Sequence, residues 1–310
     1  MLQPLLKDIF TQLNCKKPSL IRLHNELYNK LNTEVWMLRL DEIHPVISGN
    51  KIFKLIYFLH EAIISTHKKI ITFGGAYSNH LAATAFACKQ MNITSVGIIR
   101  GEKPEILSHT LNFCIANGMQ LEFISRELYN KITENDFLEQ LTKKYGEHVL
   151  VPEGGFSEKG KEGALLINDQ FNNEYFSDIC LPVGTATTFA GIIAGSVHKN
   201  KILGFGVLKN LTDITQRLQQ LKIPADKNYS FIEGYHFGGY AKKTGELISF
   251  LNHFFKKNKI PLDFVYTGKM MYGVEDLIQK NYFPRGSKIL CIHTGGLQGN
   301  YSLPKGMLVY

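Results

Sequence analysis

Short apolar runs rich in β-branched residues alternate with helical segments along most of this chain. Such runs, separated by helices, are typical of parallel strands that are buried on both faces of a sheet. We predict strands at residues 35–40, 69–73, 95–99, 121–124, 148–151, 178–183, 202–207 and 288–293. We predict helices at residues 54–65, 79–90, 107–117 and 244–257. The alternation therefore predicts an α/β protein in which helices cover both faces of a mostly parallel sheet.

The length of the chain predicts more than one domain. With 310 residues, of which 44% are hydrophobic, the chain can bury a sizeable core and is expected to form about two domains. Two glycine-rich stretches, residues 153–163 and 236–245, are the predicted hinge or active-site loops. We place the boundary at the first of them, which gives a smaller α/β domain of residues 52–160. Residues 1–51 and 161–310 are predicted to form a larger domain.

The charge and the cysteines exclude several classes of protein. The net charge is +8, but no block of like charges forms a nucleic-acid-binding arm, so we predict anionic small molecules as ligands and no nucleic acid. No stretch has the roughly 18 apolar residues of a membrane span, and residues 1–14 are predicted to form an amphipathic helix. The five scattered cysteines argue against a disulfide framework and against a zinc site, so we predict no metal and a cytoplasmic location.

A first candidate anion site follows the strand at residues 69–73. The chain continues as ITFGGAYSNHLAATAFACKQ, in which Ser78 and Asn79 open an Ala-rich helix. The amide groups at a helix start, together with the helix dipole, bind carboxylates or phosphates. The alternative is an ordinary cap on a strand-to-helix turn.

A second candidate anion site lies in ICLPVGTATTFAGIIAGSV, residues 179–197. Gly184, Thr185, Ala186, Thr187 and Thr188 follow a buried strand, and such small residues with hydroxyl groups can close around a phosphate. The alternative is a Thr-rich helix cap. The stretch lacks GxxxxGK[ST], and GFGVLK at 204–209 lacks a third glycine, so neither an NTPase nor a dinucleotide-dependent oxidoreductase is favoured.

Two lysines stand one helical turn apart in SGNKIFK, residues 48–54. If Lys51 and Lys54 share a helix face, each favours deprotonation of the other. A neutral lysine is a nucleophile toward an aldehyde. The alternative is a solvated basic face, but the two anion sites together favour a phosphate-bearing aldehyde that binds covalently to a lysine.

The order of these motifs resembles one enzyme family. The landmarks are SGNKIFK, FGGAYSNHLAATAFA, PEGGFSEKGKEG, VGTATTFAG, VYTGKMMYG and ILCIHTGG, which extend from about residue 35 to 293. They resemble the pyridoxal-phosphate-dependent D-cysteine desulfhydrases and 1-aminocyclopropane-1-carboxylate deaminases. The resemblance implies the two-domain, three-layer αβα fold of the tryptophan-synthase-β group (fold type II), pyridoxal 5′-phosphate as cofactor, a small amino-acid substrate and a homodimer.

The resemblance also implies roles for individual residues. Lys51 would bind the cofactor covalently, Lys54 and residues 184–188 would bind its phosphate, and Asn79 would bind its ring hydroxyl. Ser78, Asn79 and His80 would receive the substrate carboxylate near Tyr77, and Ser78 is also a candidate proton carrier or nucleophile. The remaining matches are Tyr266, Tyr240 and Thr294, of which the tyrosines are candidates for moving protons or activating a nucleophile. The alternative for both tyrosines is that they are half-buried aromatic residues without a role in the chemistry.

Two positions favour one branch of the family. At these positions the motifs of the ring-opening deaminases resemble VYEGK and HLGG. This chain has Thr267 in VYTGK and Thr294 in HTGG. A hydroxyl beside the pyridine nitrogen holds a proton there less well than a carboxylate does, so the ring is a weaker electron sink. We therefore predict β-elimination to pyruvate, ammonia and sulfide. The alternatives are ring opening to 2-oxobutanoate and ammonia, or a noncatalytic protein that binds the cofactor or an amino acid.

Three residues depart from the family pattern. Ser48 stands where glycine is usual in the family, Tyr77 stands where the family often has glutamine, and Phe156 is an apparent insertion before Ser157. Tyr77 is bulky and precedes the predicted substrate site, so these differences bear on the substrate rather than on the cofactor.

Overall fold

The computed structural model describes residues 4–310, which form two compact units. The strands are β1 (Leu20–Leu23), β2 (Glu34–Arg39), β3 (Lys69–Gly74), β4 (Thr94–Arg100), β5 (Gln120–Ile124), β6 (Val149–Val151), β7 (Asp178–Val183), β8 (Lys201–Gly206), β9 (Tyr229–Ile232) and β10 (Lys288–His293). The α-helices are α1 (Pro4–Gln12), α2 (Glu26–Lys30), α3 (Lys51–Ile64), α4 (Asn79–Gln90), α5 (His109–Ala116), α6 (Arg126–Tyr129), α7 (Asn135–Tyr145), α8 (Glu158–Leu165), α9 (Thr187–Gly195), α10 (Ile214–Gln220), α11 (Gly245–Asn258) and α12 (Thr267–Gln279). No helix in this part of the chain is long and apolar enough to cross a bilayer.

The smaller unit contains the chain up to Cys15 and Lys51–Gly163. Among the described residues its sheet has four strands in the order β5-β4-β3-β6, all parallel. Successive side chains of a strand point to opposite faces. On β4, Val96 and Ile98 face α7, whereas Gly97 faces Leu81 of α4. The two faces of this sheet are therefore both covered by helices.

The larger unit contains Lys16–Asn50 and Ala164–Tyr310. Its described sheet has six strands in the order β1-β2-β10-β7-β8-β9, of which only β1 is antiparallel to its neighbour. On β8, Leu203 and Phe205 join the core formed with α11 and α12, whereas Gly204 lies against Phe189 of α9. The alternation again produces three layers.

The division of the chain differs from the prediction at its beginning. The sequence pattern placed residues 1–51 in the larger domain, whereas residues 4–15 belong to the smaller unit. The reason is the apolar face of α1, where Leu6 and Ile9 are buried, and α1 contacts α3. Phe10 packs against Phe53 with 5.6 Å between the ring centroids.

The predicted elements agree closely with the structure. All eight predicted strands are confirmed, with shifts of at most a few residues at their ends. The N-terminal helix is confirmed over Pro4–Gln12, and residues 1–3 of the prediction lie outside the described residues. Helix α3 begins at Lys51 rather than at Lys54. The sequence pattern missed the edge strands β1 and β9, because each has only four residues and neither has a fully buried face.

Candidate functional site

The loop after β7 forms the predicted cup, residues 184–188, at the start of α9. Ala186 has a left-handed φ of 69°, which turns the chain so that α9 begins at Thr187. No side chain of the described residues caps this helix. The amide groups of its first turn have no partners within the helix. An uncapped helix start after a loop of small residues fits a phosphate group.

The threonine hydroxyls of the cup are held in place by their neighbours. Thr187 and Thr188 are buried, and Thr187 Oγ1 lies 3.2 Å from Thr185 Oγ1. Asn50 Nδ2 donates a 2.8 Å hydrogen bond to Thr188 Oγ1. Asn50 is not among the predicted site residues, although its place in GNK directly before Lys51 could have indicated a role.

Tyr266 lies beside the cup. A side-chain carbon added at Gly184 would be 3.4 Å from Cε1 of the Tyr266 ring, so glycine leaves a gap between the cup backbone and the ring. Tyr266 precedes the first residue of α12. The structure thus brings this predicted tyrosine to the predicted cup.

The backbone of Tyr266 is fixed by a buried carboxylate. Asp263 Oδ1 accepts hydrogen bonds from the amides of Val265 (2.9 Å) and Tyr266 (2.6 Å), and Oδ2 accepts one from Thr267 (2.9 Å). Burial raises the pKa of Asp263, while the amides of Thr267 and Tyr266 and nearby His293 oppose the rise. Asp263 therefore caps α12 and positions Tyr266, a role that the sequence analysis missed.

Tyr240 lies against Tyr266. The ring centroids are 6.1 Å apart and the ring planes are inclined by 71°. Tyr240 remains 48% exposed. The two tyrosines that the resemblance singled out are therefore neighbours, although 26 positions separate them in the sequence.

Thr294 contacts the segment that leads to Lys51. The Asn50 amide donates to the Thr294 carbonyl at 3.2 Å. A side-chain carbon at Gly49 would overlap that carbonyl, and the φ of Gly49 is 75°, so only glycine fits here. The Gly49 amide donates to the carbonyl of Leu40 at 2.9 Å. The residues before Lys51 are thus tied to the ends of β2 and β10.

Ser48 is accommodated by a hydrogen bond. Its hydroxyl donates to the carbonyl of Asp41 at 3.2 Å. The Asp41 carboxylate is buried and receives two hydrogen bonds from Arg39, at 2.9 and 2.7 Å. His293, the residue before Thr294, donates from Nε2 to the Pro261 carbonyl and accepts at Nδ1 from the Gly295 amide. The side chains of Ser48, Asp41 and His293 therefore all have hydrogen-bond partners.

Lys51 and Lys54 begin α3 in the smaller unit. Lys51 is half-buried, whereas Lys54 is only 4% exposed and passes beside Gly155 of the glycine-rich loop. Burial, and then the charge of Lys51, lower the pKa of Lys54 well below its usual value. The burial of Lys54 excludes the alternative of a solvated basic face for this residue.

Ser78 and Asn79 occupy the start of α4. Ser78 Oγ accepts a hydrogen bond from the Leu81 amide at 3.3 Å, so Ser78 is the N-cap and Asn79 the first residue of the helix. A side-chain carbon at Gly74 would lie 2.7 Å from Ser78 Oγ, which shows how closely β3 approaches this cap. The predicted helix start is confirmed.

The imidazole of His80 points into the smaller unit and is only 3% exposed. Thr72 Oγ1 donates to the Val151 carbonyl at 2.9 Å and lies 2.9 Å from His80 Nε2, so Nε2 carries the proton. Nδ1 has no hydrogen-bond partner among residues 4–310. Burial, Lys54 and Lys51 together lower the pKa of His80 well below its usual value. Because the imidazole is buried, any contact of His80 with a carboxylate would come from its backbone amide.

Tyr77 is the exposed member of this group. Its side chain is 56% exposed and its ring centroid lies 5.8 Å from that of His109. Ser108, which caps α5, donates a hydrogen bond to the Ala76 carbonyl. The loop that carries Tyr77 is thus attached to the start of α5.

Comparisons with known proteins identify the family of this chain. A family model described as pyridoxal-phosphate dependent enzyme matches residues 16–295. A mitochondrial bifunctional D-cysteine desulfhydrase/1-aminocyclopropane-1-carboxylate deaminase of Arabidopsis thaliana is 33% identical over 298 residues, which cover 87% of this chain and 74% of that protein. A putative 1-aminocyclopropane-1-carboxylate deaminase of Thermotoga maritima is 30% identical over 305 residues, which cover 92% of this chain and 96% of that protein.

A solved structure has a similar fold. The crystal structure of a 1-aminocyclopropane-1-carboxylate deaminase homologue superposes with a TM-score of 0.76 and 25% sequence identity. The superposition covers 96% of this chain and 97% of that one.

Proposed function

The chain belongs to the family of pyridoxal-phosphate-dependent enzymes, and from this premise we propose that it eliminates the β substituent of a small amino acid. The products in a D-cysteine desulfhydrase-like reaction are pyruvate, ammonia and sulfide. The predicted family, cofactor and fold class are confirmed by the family match and by the similar solved structure. The substrate and the roles of individual residues are proposals.

The cup has the chemistry that the cofactor phosphate requires. The left-handed turn at Ala186 exposes the helix start, and the buried hydroxyls of Thr187 and Thr188 supply further polar groups. A dianionic phosphate is favoured by such amides and by the helix dipole. We propose that residues 184–188 bind the phosphate and that Lys54 supplies positive charge, because a bound dianion favours the protonated lysine and opposes the lowering of its pKa by burial.

Lys51 is proposed to bind the cofactor covalently. Its neighbour Asn50 is hydrogen-bonded to Thr188 of the cup and to the carbonyl of Thr294. Asn50, which directly precedes Lys51 in the sequence, is therefore held by two segments assigned to the cofactor. When bound, the cofactor supplies the electron sink for bond breaking at the substrate's α and β carbons.

The choice of β-elimination rests on one observation, which is that the residues near the proposed position of the pyridine nitrogen carry hydroxyl groups. Thr267 stands at the first position of α12, and the neighbouring carboxylate of Asp263 is engaged by three amides. Thr294, the other residue assigned to the pyridine nitrogen, also offers a hydroxyl. A weak electron sink suffices for expelling a good leaving group such as a thiolate, whereas opening an unactivated cyclopropane requires a stronger electron sink.

The two tyrosines are proposed to move protons. Tyr266 lies beside the cup and contacts Tyr240, so a proton released near one ring has a second phenol within a short distance. Ser78 and Asn79 at the start of α4, with the amide of His80, are proposed to receive the substrate carboxylate, and Asn79 is also proposed to bind the cofactor's ring hydroxyl. Tyr77 is proposed to restrict the size of the substrate.

Ring opening of 1-aminocyclopropane-1-carboxylate is the second candidate, because the relatives from A. thaliana and T. maritima carry that activity in their names. Purified protein should be incubated with D-cysteine and, separately, with 1-aminocyclopropane-1-carboxylate. We expect sulfide and pyruvate from the first and little 2-oxobutanoate from the second. The reverse outcome would overturn β-elimination, and no turnover despite bound cofactor would support a binding protein.

A homodimer and a cytoplasmic location stay predictions. Light scattering of the purified protein gives the molar mass, which tests the homodimer. Fractionation of the source cells gives the compartment, which tests the cytoplasmic location. A monomeric mass, or recovery of the protein in another compartment, would contradict them.

A further inference from the structure

A buried lysine outside the predicted set lies on α12. Lys269 is fully buried, three residues after Tyr266. Its Nζ donates hydrogen bonds to the carbonyls of His236 (2.8 Å) and Gly239 (2.7 Å). Burying an ammonium group is unfavourable unless it is hydrogen-bonded, and here both acceptors belong to one short loop.

That loop has a shape which few residues allow. Gly238 and Gly239 have φ values of 93° and 118°, which favour glycine. The Gly239 amide donates to the His236 carbonyl at 3.0 Å, and the Gly238 amide donates to His236 Nδ1 at 3.0 Å. The turn therefore directs two carbonyl groups toward a single ammonium group.

Tyr240 is the next residue after this turn. Its ring is half-exposed, so packing alone encloses only part of it. The turn fixes the backbone from which the ring reaches Tyr266. Tyr266 directly precedes α12, and Lys269 lies in the first turn of that helix. The Lys269 ammonium group therefore attaches the loop before Tyr240 to the start of α12, next to Tyr266.

The charges around Lys269 are consistent with an ammonium ion at neutral pH. Burial lowers the pKa of Lys269 to about 8, and the carboxylate of Asp263 opposes this. The side chains of Lys209, beside Gly239, and of Lys242, beside Gly238, also lie next to the turn.

We propose that Lys269 is a positioning residue that holds Tyr240 against Tyr266 through the carbonyls of His236 and Gly239. The catalytic consequence rests on the proposed function, in which these tyrosines move protons. A lysine that only stabilised the fold would not affect Tyr240 specifically.

The test compares Lys269→Met with Lys242→Met, an exposed lysine on the same loop. Hydrogen exchange of the cofactor-free proteins should be faster at the amides of Gly239 and Lys242 in Lys269→Met, and unchanged in the control. Exchange at wild-type rates in Lys269→Met would overturn the proposal. Because this measurement needs neither cofactor nor substrate, its outcome is independent of the proposed reaction.

A double-mutant cycle gives the second measurement. We expect Lys269→Met to lower kcat roughly 100-fold, the lower range for loss of a general acid or base, with little change in KM. In a Tyr240→Phe background the same substitution should lower kcat less than about twofold, because neighbours that act as a unit are not additive. Equal effects in both backgrounds would overturn the proposal.

A conservative variant covers the case in which Lys269→Met does not fold. In Lys269→Gln the side chain retains N–H donors but is one bond shorter than lysine, so it cannot reach both carbonyls as Nζ does. Exchange should therefore be faster, and only in the same loop. Wild-type exchange in that variant, or equally faster exchange throughout α12, would overturn the positioning role.

Discussion

Asn50 donates a 2.8 Å hydrogen bond to the hydroxyl of Thr188, although 138 positions separate the two residues. The bond links the residue before Lys51 to the cup at the start of α9. It lies among buried side chains, where an unpaired polar group is unfavourable. The contact therefore holds Asn50, the last residue of its segment of the larger unit, against the cup's threonines.

Asn50→Ala should weaken cofactor binding. Loss of the amide leaves the buried Thr188 hydroxyl without this donor, and the expected loss is about 1–3 kcal/mol of stability. We also expect the dissociation constant for pyridoxal phosphate to rise about tenfold, which corresponds to 1.4 kcal/mol. Asn228→Ala, at an exposed position of the larger unit, serves as control. Equal cofactor affinities in the two variants would contradict the role of Asn50.

Substitution of Lys51 and substitution of Lys54 should have different effects on the visible spectrum of the protein with bound cofactor. Lys51→Met removes the proposed covalent attachment, so the absorbance band of lysine-bound cofactor should be lost. Lys54→Met should keep the band and bind the cofactor roughly tenfold or more weakly, since a hydrogen bond to a charged group contributes about 1.5–3 kcal/mol. Lys103→Met is the exposed control. A band that persists in Lys51→Met, or disappears only in Lys54→Met, would reverse the two assignments.

His80 should make the protein less stable in acid. Because burial lowers the pKa of His80, the unfolded chain binds a proton there near pH 6.5 while the folded protein does not. The free energy of unfolding should therefore fall below about pH 6.5, by roughly 1.4 kcal/mol per pH unit, until the lower folded-state pKa is reached.

Urea denaturation at pH 7.5 and 5.5 measures this effect. His80→Gln should reduce the difference between the two pH values by about 1.4 kcal/mol, whereas His67→Gln, at an exposed position, should not change it. An unchanged difference in His80→Gln would show that other groups dominate the acid sensitivity.

Asp263→Asn should impair both stability and turnover. An asparagine has one carbonyl oxygen in place of two carboxylate oxygens, so it cannot cap the amides of Val265, Tyr266 and Thr267 as Asp263 does. We expect a loss of about 1–2 kcal/mol in the free energy of unfolding and a lower kcat, because Tyr266 loses its anchor. Asp226→Asn is the exposed control, and equal thermal stability and kcat in the two variants would contradict the prediction.

Much of the candidate site could be predicted from local sequence. The turn into α9, the cap at Ser78 and the spacing of Lys51 and Lys54 depend on neighbouring residues and were recognised from them. Asp263 and Lys269 were missed, because their roles depend on which backbone groups the fold brings to them.

The sequence by itself determined the α/β architecture, the positions of the strands and the family, because periodicity and motif order are properties of the chain. Tertiary structure alone decided that α1 joins the smaller unit and that Lys54 and His80 are buried. It also decided that Tyr240 meets Tyr266 and that Asn50 reaches Thr188. Burial and long-range hydrogen bonds depend on which distant segments pack together, and these contacts set the pKa values and positions of the side chains assigned to the chemistry.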